Sequence, residues 1–178
     1  EKLNQVIVFG HSMGGYIALA FAEIYPNKLC GIGLVHSTAY ADDQDKIINR
    51  QKSIQLLEKG GKEVFLKSMI PNLYSMQSKE VFADEIQQHL TNAMGIASNV
   101  LIAYYKAMIQ RPDRRNILSN LHCPVLLIIG KNDNVLPYQT ILEQSTLPLA
   151  SEVFILENIG HTSPIESYEK LNSILKEY

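Results

Sequence analysis

QVIVFGHSMGGYIALAFAEIY, residues 5–25, is the stretch whose reading decides the fold. Val6–Phe9 is short, apolar and rich in β-branched residues, which suits a strand covered on both faces. Gly10–Gly15 is a glycine-rich turn. Tyr16–Tyr25 reads as a helix that must stop before Pro26, whose ring cannot continue it. Leu29–His36 (LCGIGLVH) follows as a second buried strand. Strand, tight turn, helix and strand in succession make one βαβ unit of a parallel sheet.

The same alternation resumes near the other end. Pro124–Gly130 (PVLLIIG) and Glu152–Leu156 (EVFIL) read as strands, with Leu142 in a short helix between them that ends near Pro148. The final helix carries start signals: Ser163 as cap, Pro164 in the first turn, and Glu166 three residues on as in a capping box. Ile165, Tyr168, Leu171 and Leu175 form its expected inner stripe. Between the two βα regions the period changes. Ile47, Ile48, Ile54 and Leu57 recur at helical spacing, as do Ile96, Val100, Tyr104 and Met108, and Gly60-Gly61 and Pro71 break the region into short helices. The expected organisation is an α/β core, residues 1–39 and 119–178, with a helical insertion at 40–118 placed over a three-layer, mostly parallel sheet.

The chain has 178 residues, enough for one domain with a sizeable core. It is 46% hydrophobic and 19% charged, with a net charge of -2, so nothing argues for disorder or for a nucleic-acid partner. The two cysteines, Cys30 and Cys123, form no CxxC pair and no metal-ligand spacing, which favours a reducing, cytoplasmic setting. The longest apolar runs fall far short of the roughly 20 residues that span a bilayer, so no membrane role is expected.

Gly10-His11-Ser12-Met13-Gly14 is a GxSxG pattern set between a strand and a helix. That context forces the serine onto a sharp turn with strained backbone, lifts its hydroxyl above the sheet, and aims the first helix amides, notably that of Met13, at a developing oxyanion. Gly10 and Gly14 are expected to be the small residues that the turn requires. Serine needs a base, and the base needs a carboxylate to fix its tautomer. His161 lies between the last strand and the last helix, and Asp133 lies just past the strand at 124–130. Each alone admits a plain structural reading: a glycine-rich turn with an incidental serine, a loop histidine, a turn aspartate bonded to its own backbone. Together they fall in the chain order serine, acid, histidine, each after its own strand, and that conjunction favours catalysis. His11 is expected to pack under the turn. His36 ends a strand at the same rim and is a substrate-contact candidate, as are Tyr104 and Met108 in the insertion. His89 and His122 have no catalytic context.

These residues resemble the α/β-hydrolases of the esterase, lipase and enol-lactonase kind. The resemblance is carried by GHSMGG at 10–15, RPDR at 111–114, PVLLIIGKND at 124–133 with Leu136-Pro137, and IGHTSPIE at 159–166. It implies Ser12 as nucleophile, Asp133 as acid, His161 as base, the Met13 amide as one oxyanion donor, and the insertion as a cap. It implies ester-type hydrolysis of a small, largely apolar substrate through an acyl-enzyme, without cofactor or metal. The same triad serves lactone, thioester or C–C hydrolysis and perhydrolysis. A catalytically silent binding or signalling protein on this fold is the rival from another class. Serine at position 12 argues against dehalogenation. The family has eight strands and four are legible here, so the chain resembles the carboxyl-terminal part of such a protein, without the loop that supplies the second oxyanion amide. Two expectations follow: an unpaired strand edge near 6–9 that invites a homodimer, and weak activity of the chain alone, since one oxyanion donor is worth about 10²–10³ in rate.

Overall fold

The structure, a computed structural model, describes residues 4–178; the first three residues of the core segment read as 1–39 lie outside the described residues. In chain order the elements are Val6–His11 (β1), Met13–Ile24 (α1), Leu29–Val35 (β2), Gln44–Glu58 (α2), Lys62–Asn72 (α3), Ser78–Val81 (α4), Ala83–Met94 (α5), Ser98–Gln110 (α6), Arg115–Ser119 (α7), Val125–Gly130 (β3), Tyr138–Gln144 (α8), Ser151–Leu156 (β4), Ser163–Glu166 (α9) and Tyr168–Glu177 (α10). The sheet order is β1-β2-β3-β4 and every pairing is parallel. The four strands match the four read from the sequence to within a residue or two at each end.

The two periodicities explain the layers. On β3, Val125, Leu127 and Ile129 join Ala18, Leu19 and Ala22 of α1 and Ile141 of α8 in one core cluster. The alternate residues Leu126 and Ile128 pack with Leu171 and Ile174 of α10 in another, across the sheet. Successive strand side chains point to opposite faces, so a continuous apolar run like VLLII is covered on both. A third cluster, containing Leu57, Phe65, Leu66, Ile70 and Tyr74, holds the helices between β2 and β3 together.

Three local expectations need correction. Val6–Phe9 is not covered on both faces: Ile7 is 42% and Phe9 39% exposed, and β1 pairs only with β2 among the described residues. The α6 stripe is out of phase. Its core side carries Leu101, Ile102 and Tyr105, with Tyr105 edge-on to Phe65, whereas Tyr104 is 44% exposed. The carboxyl-terminal helix is two helices broken at Ser167, and Ser163 does not cap the first. Its hydroxyl is engaged by His36, and Leu171 and Ile174 are the buried side chains while Tyr168 faces outward.

Parallel register aligns the carboxyl ends of the strands. His11 pairs with Val35, and Val35 with Ile128. Ser12, His36 and the loops after β3 and β4 therefore emerge at one rim, where open parallel sheets place their chemistry.

Candidate active site

Ser12 joins β1 to α1 with φ 52°, ψ −118°, a backbone conformation rarely adopted by residues other than glycine. Its amide donates to the Val35 carbonyl at 2.8 Å, and its carbonyl accepts from the Ser37 hydroxyl at 2.8 Å. Such strain persists only where the surroundings hold it. A Cβ on Gly10 would overlap the Gly14 carbonyl, and one on Gly15 would overlap the Ser37 hydroxyl, whereas Gly14 faces open space. The steric need thus falls on Gly10 and Gly15, not on Gly10 and Gly14. Met13 is the first residue of α1, so its N–H has no carbonyl one turn back to bond.

The loop after β4 brings His161 over this turn. His161 Nε2 lies 2.8 Å from Ser12 Oγ, and His161 Nδ1 lies 2.7 Å from Asp133 Oδ2. An ionised carboxylate only accepts, so Nδ1 carries the proton and Nε2 is left to receive the serine proton. The three residues singled out by the sequence stand in one hydrogen-bonded chain.

Asp133 accepts at both oxygens. Oδ1 takes the amides of Val135 and Leu136 at 2.8 and 2.9 Å, and Oδ2 takes the two histidines, His161 and His36. Burial opposes its ionisation, but the bonds from His161 and His36 outweigh that and hold the carboxyl well below the usual carboxylate range.

His36, which the sequence suggested for substrate contact, borders the cavity beside His161 but is held inside the protein. It is 1% exposed, and its two ring nitrogens are engaged: Nδ1 donates to Asp133 Oδ2 at 3.0 Å, and Nε2 accepts from the Ser163 hydroxyl at 2.7 Å. Burial pushes its pKa below the ordinary histidine value, so it is neutral near pH 7. His11 holds the same loop from the other side, its Nε2 donating to the His161 carbonyl at 2.8 Å. Part of His11 remains exposed, but its ring lies 5.6 Å from that of His36 and 5.4 Å from that of His161. That enclosure pushes its pKa down to about 4 against the opposing bond to the carbonyl.

The ligand atoms of His36, Asp133 and His161 lie within 4.8 Å of one another, a grouping that can hold a metal ion. Here Asp133 Oδ2 already receives two imidazole N–H groups and His161 Nε2 meets Ser12, so the set is committed to hydrogen bonding.

Sequence reasoning missed Glu166 in its real role. Its carboxylate accepts the amides of Ser75, Gly160 and Thr162 and the Thr162 hydroxyl, the last at 2.7 Å, which ties the His161 loop to the inserted helices. The His161 amide itself donates to the Leu73 carbonyl at 2.7 Å.

Two cavities flank the site. One, of about 220 Å³, is walled by His161 and His36 on the sheet side and by α2 on the other. The second, of about 500 Å³ and more apolar, lies between α1 and α6 and is lined by Met13, Ile17, Tyr104 and Met108. Tyr104 and Met108 therefore share a cavity with Met13, not with His161. Tyr16 and Arg111 separate the two, the guanidinium stacked 4.0 Å from the tyrosine ring. Arg111, first residue of the RPDR stretch, also donates to the carbonyls of Tyr40 and Met108.

The model for the family described as serine aminopeptidase, S33, matches residues 1–161. A Bacillus subtilis protein provisionally named 2-succinyl-6-hydroxy-2,4-cyclohexadiene-1-carboxylate synthase is 24% identical over 187 positions, covering 99% of this chain and 66% of that protein. The 2-hydroxy-6-oxononadienedioate/2-hydroxy-6-oxononatrienedioate hydrolase of Burkholderia vietnamiensis is 25% identical over 182 positions, covering 99% and 62%. Among solved structures, the thermophilic esterase of Thermogutta terrifontis, with malate bound, superposes with TM-score 0.91 at 25% identity, covering 98% of this chain and 64% of its own. The chain thus spans 62–66% of the length of these relatives. With this sheet order, this turn at residue 12 and these matches, the chain belongs to the serine aminopeptidase S33 family and has the α/β-hydrolase fold.

Proposed function

We infer that the protein is a serine hydrolase that cleaves an ester-type bond through an acyl-enzyme. The observation that carries this reading is the chain Ser12 Oγ–His161 Nε2–Asp133 Oδ2, with links of 2.8 and 2.7 Å. Ser12 Oγ attacks the carbonyl carbon while His161 Nε2 takes the hydroxyl proton. The negative charge that gathers on the carbonyl oxygen is met by the Met13 N–H at the start of α1. His161 passes the proton to the leaving group as its bond to the carbonyl carbon breaks. It then takes a proton from water, whose hydroxyl adds to the acyl carbon, and returns that proton to Ser12 Oγ as the acyl bond breaks and the acid leaves. Asp133 keeps the imidazole in the tautomer that accepts at Nε2.

The test is a fluorophosphonate probe followed by a panel of p-nitrophenyl esters. Labelling and esterase activity are both expected, and both are expected to vanish in Ser12→Ala. Absence of labelling in the parent protein would return the fold to a binding or signalling role. C–C bond hydrolysis on the same residues is the second reading, favoured by the dienedioate hydrolase among the relatives. It predicts labelling by the probe with no turnover of simple esters.

A further inference from the structure

We propose that the cavity beside His161 receives a carboxylate carried by the substrate, bound by Lys46 and Arg50 of α2. This rests on the hydrolase reading above. Lys46, Asn49, Arg50 and Ser53 recur at intervals of three and four residues, so they share one face of α2, and that polar face lines the same cavity as His161. Sites for wholly apolar substrates are lined mainly by apolar and aromatic side chains; this wall is not.

The charge balance there is positive. Lys46, Arg50 and Arg111 line the cavity with Asp42 as the only acidic side chain among the described lining residues. Asp42, whose side chain is 1% exposed, is shared between two guanidinium groups. Arg50 Nε lies 2.6 Å from Oδ2 and Arg111 Nη2 3.0 Å from Oδ1. Those contacts orient the arginines and outweigh burial, holding the Asp42 carboxyl below its usual range.

The two arginines differ in what they leave free. Arg111 is bound to two backbone carbonyls as well as to Asp42. Arg50 meets Asp42 through Nε and Nη2, and the Met108 sulfur through Nη1 at 3.1 Å. A guanidinium has five N–H groups, so Arg50 keeps two for a ligand. Its side chain is 18% exposed and lies against the Tyr105 ring at 5.6 Å, a well-fixed donor in a partly desolvated wall. One turn earlier, Lys46 Nζ stands 3.7 Å from Asp43, too far for a hydrogen bond. It can close on the same anion. Val135 and Leu136 line the cavity as well and can pack a short hydrocarbon stem. At about 220 Å³ the space suits a short acid, such as the half-ester of a dicarboxylic acid.

The experiment has two independent arms. In the first, succinate is titrated into the Ser12→Ala protein by calorimetry. Saturable binding that weakens with added salt and drops at least about tenfold in the added Lys46→Met background is expected, the loss typical of a charge-assisted contact. No binding, or binding indifferent to Lys46→Met, overturns the subsite. In the second, acid release from monoethyl succinate is compared with that from ethyl butyrate, which carries a methyl in place of the carboxylate. A kcat/KM ratio above about ten is expected, falling towards one in Lys46→Met and remaining intermediate in Arg50→Lys. A ratio at or below one with good turnover of ethyl butyrate also overturns the subsite. Turnover of neither ester, with succinate still bound, overturns the hydrolase reading and leaves the carboxylate site standing. Lys46 is partly exposed, so Lys46→Met folds without disturbing the buried Asp42 pair.

Discussion

His36 Nδ1 lies 3.0 Å from Asp133 Oδ2, the same oxygen that His161 Nδ1 approaches at 2.7 Å. Two imidazoles on one carboxylate oxygen fix the plane of the carboxylate and hence the aim of His161. His36 has φ 48°, a conformation that asparagine tolerates better than most residues. His36→Asn keeps that backbone but cannot span from Asp133 to Ser163. Steady-state kinetics on a p-nitrophenyl ester should show kcat reduced about 10- to 100-fold, as expected for a displaced catalytic group, with KM little changed. A rise in KM at constant kcat would instead mean that His36 touches substrate.

The histidines also set an acid limit on stability. His36 has a folded-state pKa below the ordinary 6.5, and His11 is lowered from 6.5 to about 4. Both therefore bind protons more readily when the chain unfolds. The stability linked to their neutral forms is complete above pH 6.5 and is lost as pH falls towards and through the folded values. Asp133, lowered from 3.8, adds a further loss only at more acid pH. Urea unfolding midpoints should be level from about pH 7.5 to about pH 6.5 and fall from there to about pH 4.5. In His36→Asn, which has no imidazole to protonate at that position, the fall should be shallower; an unchanged slope would assign the effect elsewhere.

At the turn, the two glycines of the GxSxG pattern should behave differently. A Cβ at Gly10 would collide with backbone at Gly14 and Gly15, whereas at Gly14 it meets nothing within 4 Å. Gly14 lies in α1 and has no need of positive φ. Gly14→Ala should leave the melting temperature unchanged or raise it, by up to about 1 kcal/mol in stability. Gly10→Ala, which overlaps backbone, and Gly15→Ala, which overlaps the Ser37 side chain, should each destabilise by about 2 kcal/mol or more, the scale of overpacking in a filled region. Differential scanning calorimetry of the three variants checks the order.

What the sequence made legible was local. Ser12, Asp133 and His161 stand out because each follows a short apolar run and a turn, and the four strands are those same runs. The residues that support them were not legible, because their partners are remote in the chain. His36 meets Asp133 97 positions on and Ser163 127 positions on. The Ser163–Glu166 spacing reads as a capping box, yet both side chains turn away to hold His36 and the His161 loop. Periodicity found α6 but not its phase, since Leu101, Ile102 and Tyr105 fit a helical stripe as well as Val100, Tyr104 and Met108 do. The polar face of α2 resembles any solvated helix face until the tertiary structure sets it against His161.

Glu166 links the inserted helices to the loop that carries His161. Its two oxygens satisfy the buried amides of Ser75, Gly160 and Thr162, and although burial opposes its ionisation, these bonds keep its carboxyl below the usual range. In Glu166→Gln one oxygen becomes an NH2 group, which would face N–H donors at either position. Leaving buried amides unpaired costs about 1–3 kcal/mol each, so a loss of about 2–3 kcal/mol in urea unfolding is expected. The loop has a second anchor in the bond from the His161 amide to the Leu73 carbonyl, so the protein should still fold. A loosened loop leaves His161 farther from Ser12 for part of the time. Fluorophosphonate labelling of folded Glu166→Gln should therefore slow by about tenfold or more, a moderate fraction of what misplacement of a catalytic group can cost. Labelling at the parent rate in a destabilised protein would confine Glu166 to holding the fold.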